Sequence, residues 1–192
     1  MLAAASPYDA PVGAGDHQEG SEMLGAYGSD AYNVVKVLHI LCAIVGFGGV
    51  MLNGLYGAQA KKRGGREAVA IGESVYRVSL VAEYFIYAVF VLGIALVAMG
   101  NNLFDFGQTW IWVSTLLYVI GLGVSHGVLR PRVKRLNALM VEVAAGAGPP
   151  NEAEAARLEG LGKQLATTEA ALNLLLVAIL VLMVFKPGGP KL

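Results

Sequence analysis

The chain has 192 residues, a formal net charge of zero and a single cysteine, Cys42. It is 56% hydrophobic and only 15% charged, with a mean hydropathy of +0.59, where a soluble domain has about a quarter of its residues charged. That balance excludes a nucleic-acid binder, which needs a basic face or stripe, as well as a disulfide framework or a CxxC metal site; the pattern is that of a polytopic membrane protein.

Residues 1–30 carry no Lys or Arg. They lack both the positive n-region and the apolar core of a cleavable signal. Rich in Ala, Gly, Ser, Pro and acidic residues, they read as a flexible or partner-ordered extracytoplasmic tail. His17, near Asp16 and Glu19, is too isolated to be assigned a metal.

A membrane-crossing helix takes about 20 mostly apolar residues, because lipid cannot satisfy open backbone groups. Four segments meet that condition: about Tyr32 to Gly57, Val78 to Met99, Gln108 to Leu129, and a shorter Glu169 to Phe185. The first loop holds Lys61, Lys62, Arg63, Arg66 and Arg77, and the third holds Arg130, Arg132, Lys134, Arg135, Arg157 and Lys163. The tail before Lys36 and the second loop have no basic residue. The basic loops therefore lie in the cytoplasm and both termini outside it. Phe104, Phe106, Trp110 and Trp112 fall at the outer boundary, where aromatic rings anchor in headgroups, and Lys186 is placed to snorkel.

The third loop extends the spans. Beyond Pro131, Val133, Leu136, Met140 and Val143 recur at helical spacing. The GAGPP stretch breaks the chain, and Asn151 starts a second helix carrying Leu158, Leu161 and Leu165. A cytoplasmic helical hairpin over residues 131–168 follows, each arm roughly 25 Å long. The first two spans continue in the same way to a turn at Gly64–Gly65. The expected fold is all-α: a four-transmembrane-helix antiparallel bundle over residues 31–187, with cytoplasmic extensions and a short tail, 188–192.

Ionisable groups inside a span are costly and count as functional candidates. They are His39, Glu83 and His126. Both His39 and His126 sit on spans entering from outside, but at depths differing by about 15 Å. They cannot ligate one haem. Glu83 is at the level of His126, and Asn53 and Asn173 reach similar levels, so these four form an expected polar cluster. Two readings of it stand: a proton relay or ion site, or a hydrogen-bonded knot that fixes helix register. His39 is left with Ser114, Thr115 or Tyr118 and, more remotely, Met183. It either binds haem b or copper or donates to a backbone or hydroxyl oxygen. Gly46, Gly48 and Gly49, with the GxxxG step of Gly123 and Gly127, are expected at close helix contacts, or as clearance for a flat macrocycle.

The stretches VVKVLHILCAIVGFGG, Val34 to Gly49, and LLYVIGLGVSHGVLRPRVKRLNAL, Leu116 to Leu139, carry a resemblance over about Tyr32 to Leu139. The chain resembles an uncharacterised bacterial family of predicted four-span integral membrane proteins. More distantly it is similar to copper-resistance D-like proteins and small membrane protoporphyrinogen oxidases. In the porphyrin-oxidising relatives the first-helix histidine is associated with haem, which by resemblance implies His39. Those enzymes also use a lysine in a later helix; here the second span has no internal Lys, and Glu83 is its only charge. The resulting expectation is a non-catalytic accessory or scaffolding subunit of a bacterial inner-membrane complex. Its partners would be the bilayer and other membrane subunits or further copies of itself. Haem or copper binding at His39 is the alternative, and proton or ion movement through Glu83 and His126 the second.

Overall fold

The computed structural model describes residues 27–100, 103–104, 106–146 and 148–189. The expectations for residues 1–26, His17 among them, and for residues 190–192 lie outside the described residues. Helix α1 (Asp30–Met51) starts where the Ser29 hydroxyl accepts from the Tyr32 amide at 3.2 Å, satisfying one open donor of the first turn. A one-residue interruption at Leu52 separates it from α2 (Asn53–Arg63). Gly64 and Gly65, at φ of +66° and +49°, then reverse the chain, a conformation that costs other residues a Cβ clash. Helix α3 (Gly65–Ala98) returns across the apolar layer.

Helix α4 (Thr109–Val124) runs through a π-helical turn, Ser125–Leu129, into α5 (Arg130–Ala145). The turn has a local cause. Pro131 has no amide to give the carbonyl four residues earlier, and its ring crowds that carbonyl, so the ladder widens just ahead of it. Helix α6 (Glu152–Phe185) opens on a capping box: Asn151 Oδ1 accepts from the Glu154 amide at 2.9 Å, and Glu154 Oε2 accepts from the Asn151 amide at 2.9 Å.

Four helical runs, Asp30–Arg63, Gly65–Ala98, Thr109–Ala145 and Glu152–Phe185, are long and apolar enough to span a membrane. A helix of 34 residues is about 51 Å long, against a hydrocarbon layer of about 30 Å. The surplus projects at the end carrying the basic loops, called here the basic end. Only 6–17% of each apolar window is covered by other protein, which suits a chain solvated by lipid rather than water.

The bundle consists of two packed pairs, α1 on α3 and α4 on α6, tied together at the basic end through α5, which touches both α3 and α6. Helix α1 has α3 as its main neighbour. Gly46 is buried there; a Cβ on it would stand 3.0 Å from the Ile86 amide nitrogen and 3.2 Å from the Ala82 carbonyl. Gly49 likewise faces the Ala82 methyl at 3.1 Å. Gly48, Gly123 and Gly127 meet nothing within 4 Å, so the contacts expected of them are not formed among the described residues. Close approach on the other helices falls instead to Gly72, against Asn137 and Met140, and to Gly121, against Leu175.

At the opposite, aromatic end the rings do not all anchor in lipid. Phe104 and Trp110 are buried with Tyr32 and Ile111, their rings edge-on at 5.8 Å, while Phe106 and Trp112 remain exposed. Lys186, expected to snorkel, lies over the Phe104 ring at 4.9 Å. An aromatic plug therefore closes this end, and only part of the expected girdle faces outward.

Candidate functional site

Where α3 faces the π turn, four side chains meet toward the basic end of the spans. Glu83 on α3 and His126 in the π turn were expected together, and their Oε1 and Nε2 atoms lie 2.8 Å apart. Two further members come with them by helical repeat. Tyr87, four residues after Glu83, donates to Glu83 Oε1 and lies 2.7 Å from His126 Nε2. Arg130, four residues after His126, donates to Glu83 Oε2. The glutamate side chain is 16% exposed, those of His126 and Arg130 each 37%. The extra residue of the π turn swings His126 toward α3 and leaves Arg130 one turn below it on the same side.

His126 Nδ1 lies 2.9 Å from the Leu122 carbonyl oxygen, which only accepts, so Nδ1 carries the hydrogen of that bond. Nε2 faces both the Glu83 carboxylate and the Tyr87 hydroxyl, a group that can donate to either, while Arg130 donates to the other carboxylate oxygen.

Asn53 and Asn173 are not in this cluster. The Asn53 amide donates to Ser79 Oγ at 3.2 Å, one turn nearer the basic end than Glu83, because the break at Leu52 re-aims α2. Asn173 is half-buried on α6, and among the described residues no hydrogen bond links it to Glu83 or His126. The α3–α4 gap is bridged higher up by large side chains: Tyr118 donates to the Ile86 carbonyl at 2.8 Å and stacks on Phe90 at 4.9 Å.

His39 has different company from that expected. It lies on the seam of α1 that packs against α3, with its ring against Gly93, where an added Cβ would stand 3.2 Å from Cε1, and close to the Val89 backbone. Ser114, Thr115 and Tyr118 are on α4, which meets α1 at the aromatic end through Tyr32, Trp110 and Ile111 and is not among its main neighbours, and Met183 is exposed on α6. A His39–Met183 ligand pair is not formed. The glycine run beside His39 serves the same seam, since Gly46 and Gly49 let the backbones close. His39 Nδ1 is buried without a hydrogen-bond partner. Ten residues of α3 separate Gly93 from Glu83, or about 15 Å, so the two histidines occupy separate levels as their depths required. Among the described residues no three His, Cys, Asp or Glu side chains gather around a common point.

Tyr87 and Arg130 are not among the candidates the sequence singles out: a tyrosine carries no charge that makes it costly in a span, and Arg130 falls just beyond the third one. The i, i+4 spacing of Glu83 to Tyr87 and of His126 to Arg130 was the available signal.

The sequence profile of a family described as a predicted integral membrane protein, DUF2269, matches residues 33–187. No curated protein and no solved structure matches the chain.

Proposed function

The chain belongs to the DUF2269 family of predicted integral membrane proteins, and from that premise we propose that it is a non-catalytic accessory or scaffolding subunit of a larger membrane complex. The observation that carries this reading is the closed quartet. Both oxygens of the Glu83 carboxylate are taken up by Arg130, Tyr87 and His126, a use of membrane charge that joins two helix pairs. Interhelical polar groups serve that role in many bundles. The outer side of α1, with Val37, Leu41 and Ile44 exposed, offers neighbouring subunits a long apolar surface. The basic end lies in the bacterial cytoplasm and both termini outside, in accord with the distribution of Lys and Arg. The test is purification from the native membrane in mild detergent after cross-linking. A scaffold brings down other membrane polypeptides in fixed ratio, and does so unchanged in His39→Ala. Recovery of the chain alone refutes the role.

A second reading rests on the direct contact of Glu83 with His126, two groups that each can hold or release a proton and so supply the elements of a relay. It requires Glu83→Gln to abolish a proton-dependent activity while the assembly stays intact. A third is haem or copper at His39, as in the distantly similar families; there a ligand would compete with the Val89 backbone, against which the buried ring lies. In that reading the second ligand comes from a partner chain. His39→Ala then removes a visible absorbance or bound copper.

A further inference from the structure

Between α2 and α3, at the level where the apolar layer gives way to the basic end, lies a cleft of about 360 Å³. It is held open by contacts above and below. Toward the membrane, Asn53 reaches across to Ser79. Toward the turn, Ala60 and Ala68 are buried, and their small side chains let the helices close. Between these ties the walls part, because the break at Leu52 tilts α2 and Gly57 meets nothing within 4 Å.

The lining changes character along its length. Ile71, Val75 and Val78 supply apolar wall, while the Tyr56 and Ser74 hydroxyls lie among them. Ser74 Oγ donates to the Ala70 carbonyl at 2.9 Å, leaving its oxygen able to accept. Charge then sets the sign of the occupant. Residues 61–77 carry five Lys and Arg against two carboxylates, and one of those carboxylates, Glu67, is occupied with Arg63 at 3.0 Å. Arg66, one turn before Ala70, and Arg77, one turn after Ser74 by helical repeat, are exposed. Neither has an ion-pair partner among the described residues.

An apolar slot at the membrane boundary, with hydroxyls part-way along and unpaired guanidinium groups flanking it, matches one kind of molecule. We propose that this cleft binds an anionic phospholipid of the leaflet on the basic side. One acyl chain lies along Val75 and Val78, and the headgroup lies toward the basic end at the level of Ser74, within reach of Arg77, while Arg66, about 16 Å further along the same helix, adds positive charge at the far end of the slot. Guanidinium groups suit this task because their planar donors match phosphate oxygens two at a time. The proposal does not depend on whether the chain is a scaffold, since it concerns a lipid and not a protein neighbour.

The test uses the full chain in mild detergent, titrated with phosphatidylglycerol or with phosphatidylcholine of the same acyl chains, and read by native mass spectrometry. The expected result is preferential retention of phosphatidylglycerol. A basic residue near an anionic lipid surface is worth about fivefold in binding. Arg66→Gln with Arg77→Gln should therefore lower phosphatidylglycerol retention by about 25-fold. Ala70→Phe, which fills the slot, should reduce retention of both lipids. Arg157→Gln, an exposed cation on α6 far along the chain, should change neither. Equal retention of the two lipids overturns the proposal. So does an Arg157→Gln effect as large as the double change, since it would mean diffuse attraction without a site. Full displacement by inorganic phosphate would show a headgroup site with no role for the acyl chain, and overturns it too. Because Arg66 and Arg77 project from the surface, their substitution leaves the fold intact and the outcome readable.

Discussion

In Glu83→Gln the side chain keeps its length and loses its charge, which separates the ionic part of the quartet from its shape. The glutamine still offers an oxygen to Tyr87 or Arg130, so the loss is confined to the charge-assisted component. A hydrogen bond to a charged partner is worth about 1.5–3 kcal/mol. Arg130 is 37% exposed, and its guanidinium can reach toward headgroups when released. That places the expected destabilisation at about 1–2 kcal/mol. Arg130→Met should cost a similar amount, because Glu83 is left as an uncompensated carboxylate in the apolar layer. The double variant should cost distinctly less than the sum, since an ion pair replaced by uncharged groups is far less damaging than one cut in half. A coupling of about 1 kcal/mol is expected. The assay is unfolding by SDS in mixed micelles, followed through the fluorescence of Trp110 and Trp112, with the four proteins compared as a double-mutant cycle. Additivity within about 0.5 kcal/mol, the behaviour of independent sites, would refute the pairing and with it the tie between the helix pairs.

The same titration separates two glycines on one helix. Gly46→Ala forces a methyl to 3.0 Å from backbone and side-chain atoms of Ile86 and should destabilise by about 1–3 kcal/mol; Gly48→Ala meets open space and should be neutral or stabilising by up to about 1 kcal/mol. His39→Leu keeps the bulk in the α1–α3 seam and removes a buried Nδ1 that has no partner, so stability should hold or rise; a fall beyond about 2 kcal/mol, or loss of colour or bound copper, would speak for ligation. Asn151→Ala and Glu154→Ala each break the capping box at the start of α6. Each should speed amide exchange in its first turn and cost about 1 kcal/mol of local stability, with little added by combining them.

Much of this architecture could be read from residue order. Four apolar stretches, the Gly64–Gly65 reversal, the hairpin interrupted by GAGPP and the Asn151 cap follow from local rules that act within a few residues, and each element is found. The Glu83–His126 meeting was legible too, because counting residues along antiparallel spans gives depth. Depth does not give azimuth. Counting residues puts Asn53 and Asn173 at the level of the cluster, yet Asn53 bonds Ser79 one turn nearer the basic end, and among the described residues Asn173 has no hydrogen bond to Glu83 or His126. Likewise His39 could be placed in the outer half, but only the packing of α1 on α3 shows that its ring lies on Gly93. The continuation of the helix past Pro131 is legible, whereas the π turn just ahead of it is not, because the spacing of apolar residues shows that a helix runs on and not where its ladder widens. Of the glycines, those facing a backbone cannot be told from those facing lipid until the neighbouring helix is in place, which is why Gly46 packs and Gly123 does not.

The most direct test of the scaffolding role is the native mass of the protein extracted from its own membrane in mild detergent. The expected result is the 20.1 kDa chain bound to at least one other polypeptide in fixed ratio, with no haem or copper mass attached. A lone chain, or one carrying a cofactor, would contradict it.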